Sequence, residues 1–404
     1  MMRSLYSGVS GLKNHQTRMD VVGNNISNVN TTGFKSSRVT FSDTLSQTLS
    51  GASAPTENGG GTNPKQIGLG SATSSIDTLF TDGSVQSTGV NTDLCLSGNG
   101  LFVVKDGNSS YYTRNGNFKF DAEGNYVNSD GLMVQGWMGT DGVISTGGDT
   151  TGIKIPAGKT MQAKASSKLT ISGNMNADAA IGDTATIIAT AYDSQGAARQ
   201  ITLTLGKKAP NEWTVKVSAP ATGTITDLVF DTDGSYKSGG IGSIDLAAVT
   251  PSGAATINLK ITKEELQSLT QYSGSSTAYG TTDGYAAGTL KSVSIDSKGI
   301  ITGTYTNGVN RQEAQVAVAQ FNNAAGLTKT GNSLYSLSNN SGEANTKTAS
   351  DLGCTITPSS LEMSNVDMAS ELTDMIVTQR GYQSNSKIIT VSDELLETLI
   401  NMKR

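Results

Sequence analysis

Along residues 1–38, Leu5, Val9, Leu12, Gln16, Met19, Gly23 and Ile26 alternate spacings of four and three. That is the period of a helix presenting one seam to a partner. The alternation returns near the other end in Met368, Leu372, Met375, Gln379, Tyr382, Ser386, Ile389, Asp393, Leu396 and Ile400. Half of this second seam is apolar: Met368, Met375, Tyr382, Ile389 and Leu396. The other half carries Gln379, Ser386 and Asp393 at successive heptads, polar positions of the kind that set register. Asn365 stands where a helix N-cap belongs. Two terminal helices that pair as a coiled coil and act as an assembly element are predicted.

Between the helices the period changes to two. "LFVVKD", "SYYTRNGNFKFD", "ATIIATAYD", "RQITLTLG", "EWTVKVSA" and "AQVAVAQF" are short runs rich in β-branched and aromatic residues, the mark of strands. A unit of the form apolar-Asp-x-x-Gly recurs at Phe120–Gly124, Tyr192–Gly196, Phe230–Gly234 and Ile295–Gly299. Asp opens a type I turn and Gly takes the left-handed position, so each unit reads as a hairpin loop with a bulge. Residues 49–70 are rich in Gly, Pro, Ser and Asn and read as a connector, as do residues 339–350.

The resulting architecture is mainly β with terminal α-helices. It is nested and multi-domain, with coiled-coil N- and C-terminal helices around two β-rich domains. The expected divisions are a terminal helical domain from residues 1–35 and 361–404, a connector at 36–70 and the β regions between them.

Composition sharpens this picture. Only 16% of the 404 residues are charged, and Gly, Ser, Thr, Asn and Ala fill the balance, as in a secreted, β-rich surface protein. The net charge of −5 gives no basic signal for nucleic acid. No apolar run approaches 18 residues, so no membrane span is expected. The first residues lack the apolar core of a cleaved secretory signal. The two ends differ in sign: residues 1–38 hold five bases against one acid, and residues 361–404 hold seven acids against four bases. That difference favours lateral packing of one end on the other.

Candidate chemistry is sparse. The one histidine, His15, lies inside the first helical pattern, which removes Ser-His-Asp and Cys-His sites and His-based metal sites. Cys95 and Cys354 make neither a disulfide framework nor a zinc pattern and read as packed thiols. Asp231 and Asp233 sit in a turn, where solvated acids are the rule. No phosphate-binding glycine motif is present. No enzyme activity, metal or cofactor is expected.

The stretch "MDVVGNNISNVNTTGFKSSRVTF" poses a puzzle. Gly23, Asn24, Asn25 and Asn28 weaken a helix that the seam has just built, and Gly33, Phe34 and Lys35 follow. This stretch resembles the N-terminal signature of the bacterial flagellar axial proteins, the rod, hook and hook-associated subunits. "SNVDMASELTDMIVTQRGYQSNSKIITVSDELLETLINMKR" is similar to their C-terminal signature. "DGSVQSTGVNTDLCLSGNGLFVV", "YTRNGNFKFDAEGNYVNSDGLMVQGW", "AYDSQGAARQITLTL" and "GTYTNGVNRQEAQVAVAQFNNAAGLTKTGNSLY" resemble the hook branch of that family. The likeness is weakest in residues 140–185 and 240–275, and it implies an inner β domain from residues 71–166 and 280–360 interrupted by an outer β domain at 167–279.

The resemblance implies a subunit exported unfolded through the flagellar type III apparatus with its N-terminal region uncleaved. It implies polymerisation under a cap into a curved tube that joins motor to filament, with the terminal helices lining the tube. Implied partners are other copies of the chain, the rod, the hook cap, the hook-filament junction proteins and the export apparatus, with no nucleic acid and no membrane. The implied location is the extracellular hook and basal body. Two other readings stay open: a distal rod subunit, which is shorter and lacks the inserted outer domain, and a secreted β-rich adhesin, which leaves both helical ends unexplained. Some hooks cross-link neighbours through a Cys and a Lys near the start of the outer domain; "KASSKLTISGNM" has no Cys there. On this reading the Asn and Gly keep the free terminus disordered until neighbours supply packing.

Overall fold

The computed structural model describes residues 2–55, 60–219, 221–246 and 257–402. Two helices frame a mainly β chain: α1 (Met2–Ser27) and α2 (Met368–Asn401). Two compact units are present. One comprises Met1–Pro156, Ser294–Thr302 and Gln312–Arg404, and the other Ala157–Val293 and Gly303–Arg311.

In the first unit α1 runs unbroken through Gly23, Asn24 and Asn25. It stops at Ser27. The chain turns over residues 28–33, and Gly33 takes φ +66°. A Cβ there would sit 2.5 Å from the Asn115 nitrogen, so only glycine fits.

The segment expected as a connector is instead a β ribbon. Strand β1 (Ser37–Asp43) pairs antiparallel with β4 (Ser71–Thr78), and β2 (Ser46–Ser50) pairs with β3 (Lys65–Gly68). A bridge between Ser53 and Thr62 continues the ladder. The Gly and Pro that suggested a loop lie toward the far end of the ribbon, and Ser, Thr and Gln carry the pairing. The second expected connector also holds a strand, Asn345–Lys347, paired with Val318–Gln320.

The body of this unit is a sheet. In spatial order, Met133–Thr140, Leu101–Asp106, Ser109–Thr113, Leu334–Ser336 and Thr328–Gly331 pair antiparallel. Leu101, Phe102, Val103 and Val104 are all buried because both faces of their strand are covered. One face packs Leu101 and Val103 with Tyr112, Phe321 and Tyr335. On the other, Phe102 meets Phe118 edge-on, with ring centroids 5.3 Å apart.

In the second unit a five-stranded antiparallel sheet runs Thr184–Tyr192, Ala198–Ala209, Glu212–Val217, Leu228–Phe230 and Tyr236–Ser238. Two three-stranded sheets share one core with it, built on Leu169, Ile187, Leu203, Trp213, Leu259 and Leu269. The Trp213 indole N–H donates to Gln271 Oε1 at 3.2 Å, which satisfies its polar tip inside that core.

The Asp-x-x-Gly turns form as expected. Asp121 Oδ1 accepts the amides of Glu123 and Asn125, Asp193 Oδ1 those of Gln195 and Ala197, and Asp296 Oδ1 those of Lys298 and Ile300. Gly124, Gly196, Gly234 and Gly299 all hold positive φ. Asp231 differs: its carboxylate takes the next amide, Thr232, and Asp233 takes Ser235.

Candidate assembly site

The terminal helices lie antiparallel. Gly8 faces Asn385 and Ile389, Gly11 faces Asn385, and Gly381 faces the His15 ring; an added Cβ would lie 3.6, 2.7 and 2.5 Å from the nearest of those atoms. Glycine at three points lets the two backbones approach closely. Arg18 pairs with Asp374 at 2.9 Å farther along, an exposed contact of small worth.

The line of contact on α1 is Gly8, Gly11, His15, Arg18 and Asn25. It runs one residue ahead of the predicted seam. Leu5, Val9, Leu12, Met19 and Ile26 are consequently half-buried. On α2 the least exposed positions are Glu371, Met375, Thr378, Gly381, Asn385, Ile389, Ser392 and Leu396. Met375, Ile389 and Leu396 were in the predicted seam. Gln379, Ser386 and Asp393 are exposed, so the polar half of the intrachain contact is Thr378, Asn385 and Ser392 instead. The physical reason is size: small and polar residues allow the close approach that the larger apolar residues would block.

Most other apolar residues of α2 are left facing solvent. Met368, Leu372, Ile376, Val377, Tyr382, Ile388, Val391, Leu395 and Ile400 are between 37% and 68% exposed. Isolated exposed apolar residues are ordinary, but nine on one 34-residue helix are more than a surface helix usually leaves bare.

Asp367, not Asn365, caps α2: its Oδ1 accepts the Ala369 amide at 3.0 Å. Asn365 clamps the two chain ends to the body of the unit. Its Oδ1 accepts the Ser36 amide at 2.8 Å and its Nδ2 donates to the Leu79 carbonyl at 2.9 Å.

Two asparagines of α1, Asn25 and Asn14, are likewise clamps. Asn25 is 1% exposed. Its Nδ2 donates to the Ser37 carbonyl at 2.8 Å and to Glu371 Oε1 at 2.9 Å, and its Oδ1 accepts the Ser37 amide at 3.0 Å. It joins α1, β1 and α2. Burial pushes the Glu371 carboxyl up, against the lowering effect of the Asn25 hydrogen bond. Asn14 holds the other end of the ribbon, donating to Ser71 Oγ at 2.8 Å. Asn28 folds back on the Asn24 carbonyl at 2.9 Å where the helix ends, and Asn24 is exposed. Lys329 Nζ lies 5.0 Å from the Phe34 ring centroid.

Beneath the junction of both ends lies a buried ion cluster. Lys35, Glu362 and Arg114 are no more than 1% exposed. Lys35 Nζ donates to Glu362 Oε1 and to the Thr81 carbonyl, both at 2.6 Å. Arg114 reaches Glu362 Oε2 at 3.3 Å, Asp82 Oδ1 at 3.2 Å and the Leu96 carbonyl at 2.9 Å, and also donates to the Gly98 carbonyl. The Gly83 amide donates to Glu362 Oε1 at 2.8 Å. Burial holds the Lys35 ammonium below its ordinary pKa, and Arg114 adds to that; Glu362 opposes both.

Lys35 was singled out from sequence, and Asn365 only as a helix cap, whereas Arg114, Glu362, Asp82 and Asn14 were not. Their partners lie tens to hundreds of residues away, and no local spacing signals them. Among the described residues no group of three or more His, Cys, Asp or Glu side chains is placed to hold a metal ion. No described helix is long and apolar enough to cross a membrane.

Comparison with known proteins gives matches along the chain. The flagella basal body rod protein family model matches residues 5–35 and the flagellar basal body rod FlgEFG protein C-terminal model matches 357–402. The flagellar hook protein FlgE/F/G D1 domain model matches 95–176, and the flagellar basal body protein FlaE D2 domain model matches 166–285. The flagellar hook protein FlgE of Borreliella burgdorferi is 42% identical over all of both chains. That of Salmonella typhimurium is 34% identical over 99% of this chain and all of its own. The flagellar basal-body rod protein FlgG of Bacillus subtilis is 34% identical over all of both.

Proposed function

The chain belongs to the flagellar hook protein family as a structural subunit of the hook, and from that premise we propose how its parts serve a self-assembled tube. The exposed apolar face of α2 carries this reading. Helix α1 spends its small-residue face on α2 and its asparagines on the ribbon. The exposed apolar side chains of α2 then remain for other copies. Leu5, Val9, Leu12, Met19 and Ile26 on α1 join Met368, Leu372, Met375, Tyr382, Ile389, Leu396 and Ile400 on α2 as assembly residues.

The ribbon supports the same reading. Every residue of β2 and β3 is exposed, and Leu45, Leu49, Ile67 and Leu69 are bare apolar side chains on or beside it. A two-stranded ribbon alone is marginal in water, so a neighbouring copy is its natural support.

In this account residues 1–35 and 361–404 line the tube, residues 36–70 belong to the linking ribbon, and residues 71–166 with 280–360 and residues 167–279 form inner and outer β layers. The tube is curved and flexible and transmits motor torque to the filament. The chain is exported without a cleaved signal through the type III apparatus. It meets the rod, the hook cap and the junction proteins at the tube's ends. Its role is mechanical rather than catalytic.

A rod subunit is the second reading, favoured by the full-length match to the Bacillus rod protein. Electron microscopy of polymerised chain separates the two. Curved tubes support the hook, straight rigid rods support the second reading, and failure to form any tube removes both.

A further inference from the structure

The ion cluster has an asymmetry that assigns an order to its parts. Glu362 closes the strand Ser360–Glu362, which pairs with Val85–Ser87. Thr355–Pro358, just before it, pairs with Leu94–Ser97. The C-terminal segment thus has its own backbone ladder on the body of the unit. Its carboxylate is satisfied there by Arg114 and the Gly83 amide, with no help from Lys35.

Lys35 has no such independence. Among the described residues its one ion-pair partner is Glu362, and its other hydrogen bond goes to a neutral carbonyl. The backbone around it leans in part on the same segment, although the Ser36 carbonyl also accepts the Leu79 amide at 2.8 Å and the Lys35 carbonyl accepts Lys329 Nζ at 3.0 Å. The Gly33 amide donates to the Glu362 carbonyl at 2.8 Å, the Ser36 amide to Asn365 Oδ1 at 2.8 Å, and the Asn365 amide to the Phe34 carbonyl at 3.4 Å. Burying an ammonium without a counter-charge is prohibitive.

We infer that Lys35, Glu362 and Arg114 form a completion lock: residues 33–36 dock only after the strand ending at Glu362 is in place. Arg114 receives Glu362 first, and the carboxylate then receives Lys35. In a chain made from its N-terminus onward, the start of the chain stays undocked until residue 362 has arrived. Lys35 and Glu362 are positioning residues for the terminal helices, since one follows α1 and the other precedes α2. The inference concerns docking within one chain and does not depend on the mode of self-assembly.

Hydrogen exchange on the full-length chain tests it, read by mass spectrometry over residues 28–40, 358–366 and 101–106. Glu362→Gln should speed exchange in residues 28–40 by on the order of 100-fold or more, because it strands Lys35. Lys35→Met should leave residues 358–366 within about 3-fold of wild type, the range expected when Arg114 still satisfies the carboxylate. The pair Lys35→Met with Glu362→Gln should recover much of the protection of residues 28–40, since no unpaired ammonium remains. Residues 101–106 should not change in any variant. Equal loosening of both segments by either substitution overturns the ordered lock, as does protection of residues 28–40 that survives Glu362→Gln. Loss of protection at residues 101–106 overturns it too, because the cluster would then be a foundation of the sheet and not a lock on the ends.

Discussion

Replacing Asn25 with alanine sets helix propensity against tertiary contact, and the two give opposite signs. Propensity favours the variant, since alanine is better than asparagine in a helix by up to about 0.7 kcal/mol. The structure opposes it. Asn25 is buried and makes three hydrogen bonds, two to the Ser37 backbone and one to Glu371. Their loss leaves the Ser37 amide and carbonyl and the Glu371 carboxylate short of a partner, at about 1 kcal/mol each on the low side of the usual range. The net is destabilisation of α1 docking by about 2 kcal/mol, or roughly 30-fold in the docking equilibrium. Hydrogen exchange across residues 20–42 reads this directly, with Asn24→Ala as the control. Asn24 is exposed and bonds only within the turn that ends α1, so its replacement should shift exchange by less than about 3-fold. Slower exchange in Asn25→Ala than in wild type would refute the clamp and restore the view that these asparagines only weaken the helix.

Three further outcomes follow from the same coordinates. Ile389→Asp places a carboxylate on the half-buried face of α2 beside Gly8 and should abolish polymer while leaving the melting of both β units unchanged; calorimetry and sedimentation check the two halves. In Asp283, burial raises the carboxyl pKa, but hydrogen bonds from the Ser167 and Lys168 amides, the Ser167 hydroxyl and Lys164 bring it down to about 2. Because the folded value lies below the ordinary 3.8, its stabilisation is complete above about pH 4 and fades as pH falls toward 2. The stability gap between wild type and Asp283→Asn should thus be flat from neutral pH down to about 5 and shrink below 4; a gap unchanged near pH 2.5 would contradict it. Burial pushes the Cys95 thiol up to about 11 and raises Cys354 as well. Native chain should therefore resist alkylation at neutral pH, and denatured chain should take two labels.

What the sequence reveals and what it hides divide along the range of the interaction. The Asp-x-x-Gly turns were legible because an aspartate and the amides it accepts lie within four residues. The terminal helices were legible from their period, but on α1 the line that meets α2 runs one residue before the apolar seam. An apolar stripe announces that a face will be buried and does not say by whom. Here a glycine and small-polar stripe makes the intrachain contact, and the conspicuous leucines and isoleucines are left over. The ribbon was hidden because Ser, Thr and Gln carry no hydrophobic alternation when both faces are exposed. The ion cluster was hidden because Lys35 and Glu362 stand 327 residues apart.

The central claim is that the apolar face of α2 and the ribbon become buried between copies of this chain. Hydroxyl-radical footprinting of the same protein as single chains and as tubes verified by microscopy tests this side chain by side chain. In single chains Leu372, Ile376, Ile388, Leu395, Leu45 and Ile67 should all react, as their exposure requires. In tubes these six should be protected, while Val143 and Ile181, also bare but placed on the β units, should react more nearly as before. Tubes in which Leu372, Ile376, Ile388 and Leu395 remain as reactive as in the single chain would contradict the account.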